Sequence, residues 1–109
     1  GRGAVVSAAL SVEIGPHVTI APGVLITDHQ HAFADSDLPI GAQGITEPLP
    51  VGLEEGSWIR TIAVVMPGVR IGRNAVIGAN SVVTRSVPDG AVVGGIPARP
   101  LRSHVEEAA

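Results

Sequence analysis

The chain has no cysteine, which excludes disulfides and cysteine-ligated metal sites and leaves the redox compartment open. Aromatic residues are 2% of its 109 residues, so the rings that supply much of the buried area in small globular cores are nearly missing. It has no basic run, and the formal net charge is −3. Nucleic acid and anionic membrane surfaces are therefore poor partners. No apolar run approaches the roughly 20 residues of a membrane span, and the N-terminus shows no signal-peptide pattern. These absences lead to the expectation of a soluble, cytoplasmic protein.

What the chain does have is aliphatic. Hydrophobic residues make up 45%, nearly all Val, Ile, Leu and Ala, which favours stacked β structure filled by branched side chains. Fourteen Gly and nine Pro fall at regular offsets, which reads as many turns and not as disorder. The length allows one small domain.

The strongest signal is a repeat. Aliphatics recur every six residues at Leu53, Ile59, Val65, Ile71, Ile77 and Val83, and a smaller or branched residue follows each by four, at Ser57, Ala63, Val69, Ala75, Ser81 and Val87. Ile14, Ile20 and Ile26 keep the same step, and Ala8 takes the leading position of a loosely fitting N-terminal segment. A period of six is neither helical nor a plain alternating strand. It suits short strands joined by tight turns, three hexads to a triangular coil, with coils stacked at about 4.8 Å. The fold expected is all-β, a parallel β-helix spanning 1–109, with N-terminal coils over 4–30 and C-terminal coils over 51–87. The tail, 88–109, is expected to pack on the last coil, with 103–109 disordered or briefly helical.

Phase is expected to break once. Ile26 and Leu53 are 27 residues apart, four and a half hexads, so an insertion must leave the stack. Residues 31–50, HAFADSDLPIGAQGITEPLP, have the composition of an extruded loop, and long loops in compact folds commonly carry function. At its root lies ITDHQHAF, with two of the four histidines and the only Phe.

Four segments carry a family resemblance: IGPHVTIAPGVLITDHQH (14–31), SWI (57–59), VVMPGVRIGRNAVIGANSVVTRSVPDG (64–90) and VVGGIPARPLR (92–102). The chain resembles the hexapeptide-repeat acyltransferases, whose fold is the left-handed parallel β-helix. The closer resemblance is to the branch holding maltose and galactoside O-acetyltransferases and surface-polysaccharide acetyltransferases. The resemblance implies acetyl transfer from acetyl-CoA to a hydroxyl of a sugar or similar small acceptor, by a homotrimer with its active site between subunits and no metal. Relatives in this family usually run longer, so the chain is either a short form or lacks an N-terminal part.

The chemistry is read with that resemblance. A sugar hydroxyl attacking a thioester must lose its proton as it attacks, and a neutral imidazole suits that task near pH 7. His29 matches the family's catalytic His, and His31 is the alternative base or an acceptor contact. Asp28 is expected either to orient an imidazole or to meet acceptor hydroxyls, although neighbours on an extended chain point opposite ways. Phe33 joins it as an acceptor contact. A tetrahedral intermediate needs a donor for its oxyanion, and the family position falls on Thr61. For coenzyme A the resemblance implies Trp58, Ala79, Thr84, Arg85, Arg99 and Arg102, the arginines suiting the phosphates; Arg60, where the family has Gly, either adds a phosphate contact or obstructs the coenzyme. The bland alternatives are a solvated polar loop entry for the histidines, an ordinary outward-facing strand Thr for Thr61, a turn residue for Ala79, a corner cap for Trp58 and a solvated face for the arginines.

Departures from the family pattern point either to an active enzyme with a different acceptor or to a repeat protein that keeps the fold without the catalysis. WIR replaces WIG, putting Arg60 beside the expected oxyanion donor, and Glu54-Glu55 stands where the pattern prefers IGD. The polar residues that sugar-acetylating relatives place before the His align near Gly1 and Ala9. Three alternatives follow. One is a truncated or inactive β-helix serving as a structural or binding subunit. Another is a zinc enzyme resembling the γ-class carbonic anhydrases, for which His17, His29, His31 and His104 are wrongly spaced. The last is an ice-binding face, for which the Thr residues form no ladder.

Overall fold

The computed structural model describes residues 3–8, 10–32 and 34–103. Twelve short strands follow in order: β1 (Val5–Ser7), β2 (Val12–Ile14), β3 (Thr19–Ile20), β4 (Leu25–Thr27), β5 (Val51–Leu53), β6 (Trp58–Ile59), β7 (Val64–Val65), β8 (Arg70–Ile71), β9 (Val76–Ile77), β10 (Val82–Val83), β11 (Ala91–Gly94) and β12 (Arg99–Ser103). They form three sheets, β1-β4-β7-β10, β2-β5-β8 and β12-β11-β9-β6-β3. All pairings are parallel except β11 with β12. Consecutive strands thus go to successive faces of a prism, and the chain is a left-handed parallel β-helix.

The hexad explains this directly. Leu53 pairs with Ile71, Ile59 with Ile77 and Val65 with Val83, so three hexads return the chain to the same face one rung on. All six leading aliphatics are buried, at no more than 2% exposure, and five of the smaller followers, Ser57, Ala63, Val69, Ala75 and Ser81, lie in the same interior. Each buried aliphatic contributes about 1.5–3 kcal/mol, which lets a core without aromatics hold two-residue strands in place. The glycine of the IG step at Gly72 is demanded by packing, since a Cβ there would lie 2.5 Å from the Asp89 backbone nitrogen.

The phase breaks in three places, not one. The expected break is the excursion between β4 and β5. A second lies at the N-terminus. Val6, not Ala8, pairs with Ile26, so the step from Val6 to Ile14 is eight residues and the corner between β1 and β2 holds two extra. The third is at the other end, where Val87 bridges in parallel to Ile71. Val87 therefore occupies a leading position after a corner shortened by two residues, where the hexad makes it a follower of Val83. The parallel stack accordingly runs on to Val93, paired with Ile77, past the expected end at 87. Residues 99–103 then turn back as β12 and pair antiparallel with β11, which covers the open edge of that sheet. The expectation for the last six residues lies outside the described part.

The excursion is a hairpin-like arm. His31 and Ile45 form an antiparallel bridge. Leu49 N–H donates to Asp28 C=O at 2.8 Å and Thr46 N–H to Gln30 C=O at 2.8 Å. A short 3-10 turn, Ile40–Ala42, sits near its tip. Backbone pairing therefore starts at Asp28, so the arm's root includes the DHQH segment.

Candidate active site

Asp28 and His29 meet at that root. Asp28 sits at a bend just after β4, so the alternation that would separate neighbouring side chains on an extended strand does not apply. The His29 ring nitrogen Nδ1 lies 2.8 Å from Asp28 Oδ1. Asp28 is fully buried, and its other oxygen, Oδ2, accepts the backbone N–H groups of Leu10 at 2.7 Å and Ser11 at 2.8 Å. Those two amides belong to the enlarged corner between β1 and β2, so the two extra residues of the first coil serve the site. Thr27 closes the arrangement. Its hydroxyl donates to His29 C=O at 2.7 Å and accepts His29 N–H at 3.3 Å, fixing the backbone that carries the imidazole.

The electrostatics follow. An ionised carboxylate only accepts hydrogen bonds, so His29 donates from Nδ1 and the lone pair of the neutral ring is at Nε2. Among the described residues Nε2 has no partner, and the side chain is 21% exposed. It lines a cleft of about 510 Å³ between the outer surface of the β4 and β7 face and the arm. Asp28 is not part of that lining. The expectation that it contacts the acceptor is corrected: a fully buried carboxylate already engaged by an imidazole and two amides is placed to act through His29.

The structure brings some expected residues together and separates others. His29 and His31 share the cleft. Thr61 does not line it; it lies in the exposed turn after β6, and its C=O accepts the N–H of Asn80 at 3.0 Å. Ala79 lies one rung on at the same corner, also exposed. Trp58 is on the outer surface of β6, with the Arg60 guanidinium 5.0 Å from its ring centroid, a cation–π stack. Thr84 and Arg85 are exposed at the far end of β10, Thr84 in a smaller pocket at the base of the arm with Leu49 and Met66. Arg99 is exposed on β12, its guanidinium donating to the C=O of Ala98 at 3.2 Å. The expected coenzyme residues thus divide: Trp58, Arg60 and Ala79 lie on β6 and at the corner that follows it, Thr84 and Arg85 at the corner after β10, and Arg99 on β12. Phe33, His104 and the Arg102 side chain lie outside the described residues. Among the described residues no three His, Asp or Glu side chains converge to hold a metal ion, and His17 lies exposed at a distant corner with φ +59°.

Sequence reasoning missed Leu10 and Ser11 as the support of Asp28, and Ser7, Leu25, Val64 and Met66 as cleft lining. The last three were within reach: each stands immediately before or after a leading aliphatic and so faces outward on the His29 face.

Comparison with known proteins settles the family. Residues 50–85 match the family model described as bacterial transferase hexapeptide (six repeats). The chain belongs to the hexapeptide-repeat transferases. Galactoside O-acetyltransferase of Lactococcus lactis is 40% identical over 84 residues, 77% of this chain and 39% of that protein. A protein of Escherichia coli assigned to O-acetyl transfer in lipopolysaccharide biosynthesis is 38% identical over 104 residues, 89% of this chain and 53% of its own length. A solved galactoside acetyltransferase in complex with coenzyme A superposes with a TM-score of 0.79 at 33% identity, covering 90% of this chain and 48% of that one. The chain spans about a third to a half of the length of the curated relatives it matches.

Proposed function

We propose that this hexapeptide-repeat protein is an acetyl-CoA-dependent O-acetyltransferase acting on a hydroxyl of a sugar or similar small acceptor, in the cytoplasm, as a homotrimer. The observation that carries the reading is the buried Asp28 carboxylate holding His29 by Nδ1 in a cleft at the root of the arm. His29 Nε2 takes the acceptor's hydroxyl proton as the oxygen attacks the thioester carbonyl. The imidazolium that forms is stabilised by Asp28. Collapse of the tetrahedral intermediate breaks the carbon–sulfur bond, and the proton passes from His29 to the departing thiolate, giving acetyl ester and free coenzyme A. General-base assistance of this kind is worth roughly 10²–10⁴ in rate.

The oxyanion donor assigned by family resemblance is Thr61, through its hydroxyl or a neighbouring backbone N–H. Within one chain Thr61 and His29 do not share a cleft, which supports a site completed by the Thr61 and Ala79 corner of an adjacent copy. The coenzyme side of the proposal takes Trp58, Arg60, Ala79, Thr84, Arg85, Arg99 and Arg102 as its contacts.

One observation favours a second reading. The Arg60–Trp58 stack stands at the corner where the coenzyme is expected, and a stack that stays closed leaves a binding or structural subunit without catalysis. Titration calorimetry with acetyl-CoA, alongside the mass in solution, separates the two. Micromolar binding to a trimer is expected, and no binding at millimolar ligand gives the second reading. His29→Ala should abolish acetyl transfer and keep both the fold and acetyl-CoA binding; undiminished turnover overturns the assignment.

A further inference from the structure

At one corner of the prism the chain carries a residue that the backbone there disfavours. Among the described residues, the non-glycine positions with left-handed backbone are His17, Ile62, Asn74 and Asn80. Asn and His are enriched in that region, whereas a β-branched side chain is an outlier. The positions equivalent to Ile62 one rung either side are Gly23 at φ +78° and Asn80 at φ +62°, so the stack itself asks for Gly or Asn. Core packing does not offset the strain, because Ile62 is 55% exposed. Its N–H donates to Pro22 C=O at 3.1 Å, and Thr61 C=O accepts Asn80 N–H at 3.0 Å. The turn is therefore pinned on both sides, and the side chain is what Ile62 adds. That side chain stands over the preceding rung, where a Cβ on Gly23 would lie 3.1 Å from Ile62 Cγ1. Residues held in such regions cluster at ligand sites, and the residue before Ile62 is the oxyanion donor of the proposed reaction.

We propose that Ile62 determines which acyl group the protein transfers, its branched side chain standing beside the thioester bound at Thr61 and filling the space that a chain longer than acetyl needs. This role rests on the proposed acetyl transfer and on Thr61 as its oxyanion donor. Thr61 and Ile62 are consecutive residues of one turn, so their relation holds within a single copy, whatever an adjacent copy brings to that corner. The identity of the acceptor does not enter it. Asn or Gly at 62 would suit the backbone and leave the space open. Ile closes it with a rigid wall, since β-branching leaves few χ1 rotamers and the rungs on both sides fix the main chain. Discrimination by one methylene in a closed apolar pocket reaches roughly 10–200-fold.

The test is calorimetric binding of acetyl-, propionyl- and butyryl-CoA to the wild type, Ile62→Gly and Ile62→Asn. Thiol release in the presence of methyl galactoside and the mass in solution are followed alongside. The wild type should bind propionyl-CoA about tenfold or more weakly than acetyl-CoA, and butyryl-CoA more weakly still. Ile62→Gly should bring the first two within about fourfold, the worth of a single methylene, and thiol release should show the same change in preference. Ile62→Asn should fall between them with a melting midpoint no lower than that of the wild type, which separates lost selectivity from lost fold. The same ratio of affinities in all three proteins would overturn the acyl role and leave acetyl transfer standing. A ratio that collapses in Ile62→Gly, with no thiol released by any of the three, would overturn acetyl transfer to a glycoside hydroxyl and keep the acyl site. Variants of lower mass than the wild type would give Ile62 to a contact between copies and overturn the proposal.

Discussion

Replacing Asp28 by Asn keeps shape and volume, removes the charge, and reverses the direction of the hydrogen bond to His29. The amide oxygen can still accept the N–H groups of Leu10 and Ser11, which now meet Oδ2 at 2.7 and 2.8 Å. The NH₂ group then faces His29 Nδ1 across the 2.8 Å contact. Two donors cannot meet there, so the neutral ring shifts its proton to Nε2, the nitrogen that must be bare to act as base. The expected loss in kcat is on the order of 10²–10⁴, the worth of general-base assistance, with acetyl-CoA affinity unchanged. Stability should fall by about 1–3 kcal/mol as charge-assisted bonds become neutral ones, short of the 5–15 kcal/mol that holds an ordinary domain. Asp28→Ala is the control for burial. It strands three donors, each costing about 1–3 kcal/mol when left unsatisfied, and should lower the denaturant midpoint well below that of Asp28→Asn. Steady-state kinetics, calorimetry and urea unfolding read all three quantities. An Asn variant that keeps more than about a tenth of the wild-type kcat would refute the tautomer argument. An Ala variant as stable as the parent would refute the claim that the carboxylate holds the corner.

Two further predictions concern the scaffold. Ile62 is β-branched, 55% exposed, and held at φ +63°, a left-handed conformation that costs an L-residue about 1–2 kcal/mol. Asn80 occupies the equivalent corner one rung on at φ +62°, so Ile62→Asn should stabilise by about 1 kcal/mol and raise the melting temperature by about 4 °C; an unchanged or lower midpoint would contradict the strain argument. Ser57 is fully buried, and its hydroxyl has no hydrogen-bond partner among the described residues. Removing an unsatisfied buried hydroxyl relieves its desolvation cost, so Ser57→Ala should be neutral or stabilising by up to about 1 kcal/mol in urea unfolding. Destabilisation would mean that the hydroxyl has a partner.

Much of the architecture is legible in the residues themselves. Six aliphatics at a strict interval of six, with small residues four later, leave only a stacked triangular coil able to bury both series at once, and every one of those leading side chains is inside. The arm was legible as a failure of register, and His29 as the imidazole at its root. The corners at the two ends were not legible. A gain of two residues before Ile14 and a loss of two before Val87 leave hydrophobic residues at plausible intervals in either register, and only pairing with the next rung distinguishes them. The partner of Asp28 was equally hidden. Its amides come from Leu10 and Ser11, eighteen and seventeen residues away, and a backbone N–H carries no signature in a side-chain pattern. The repeat, the interior and the chemistry available at the arm's root follow from periodicity and residue type. Tertiary structure alone decided that Asp28 is buried and turned toward His29, that Thr61 stands apart from it, and that the cleft walls are apolar. Each of those depends on which rungs stack and how the arm folds back, and stacking is long-range.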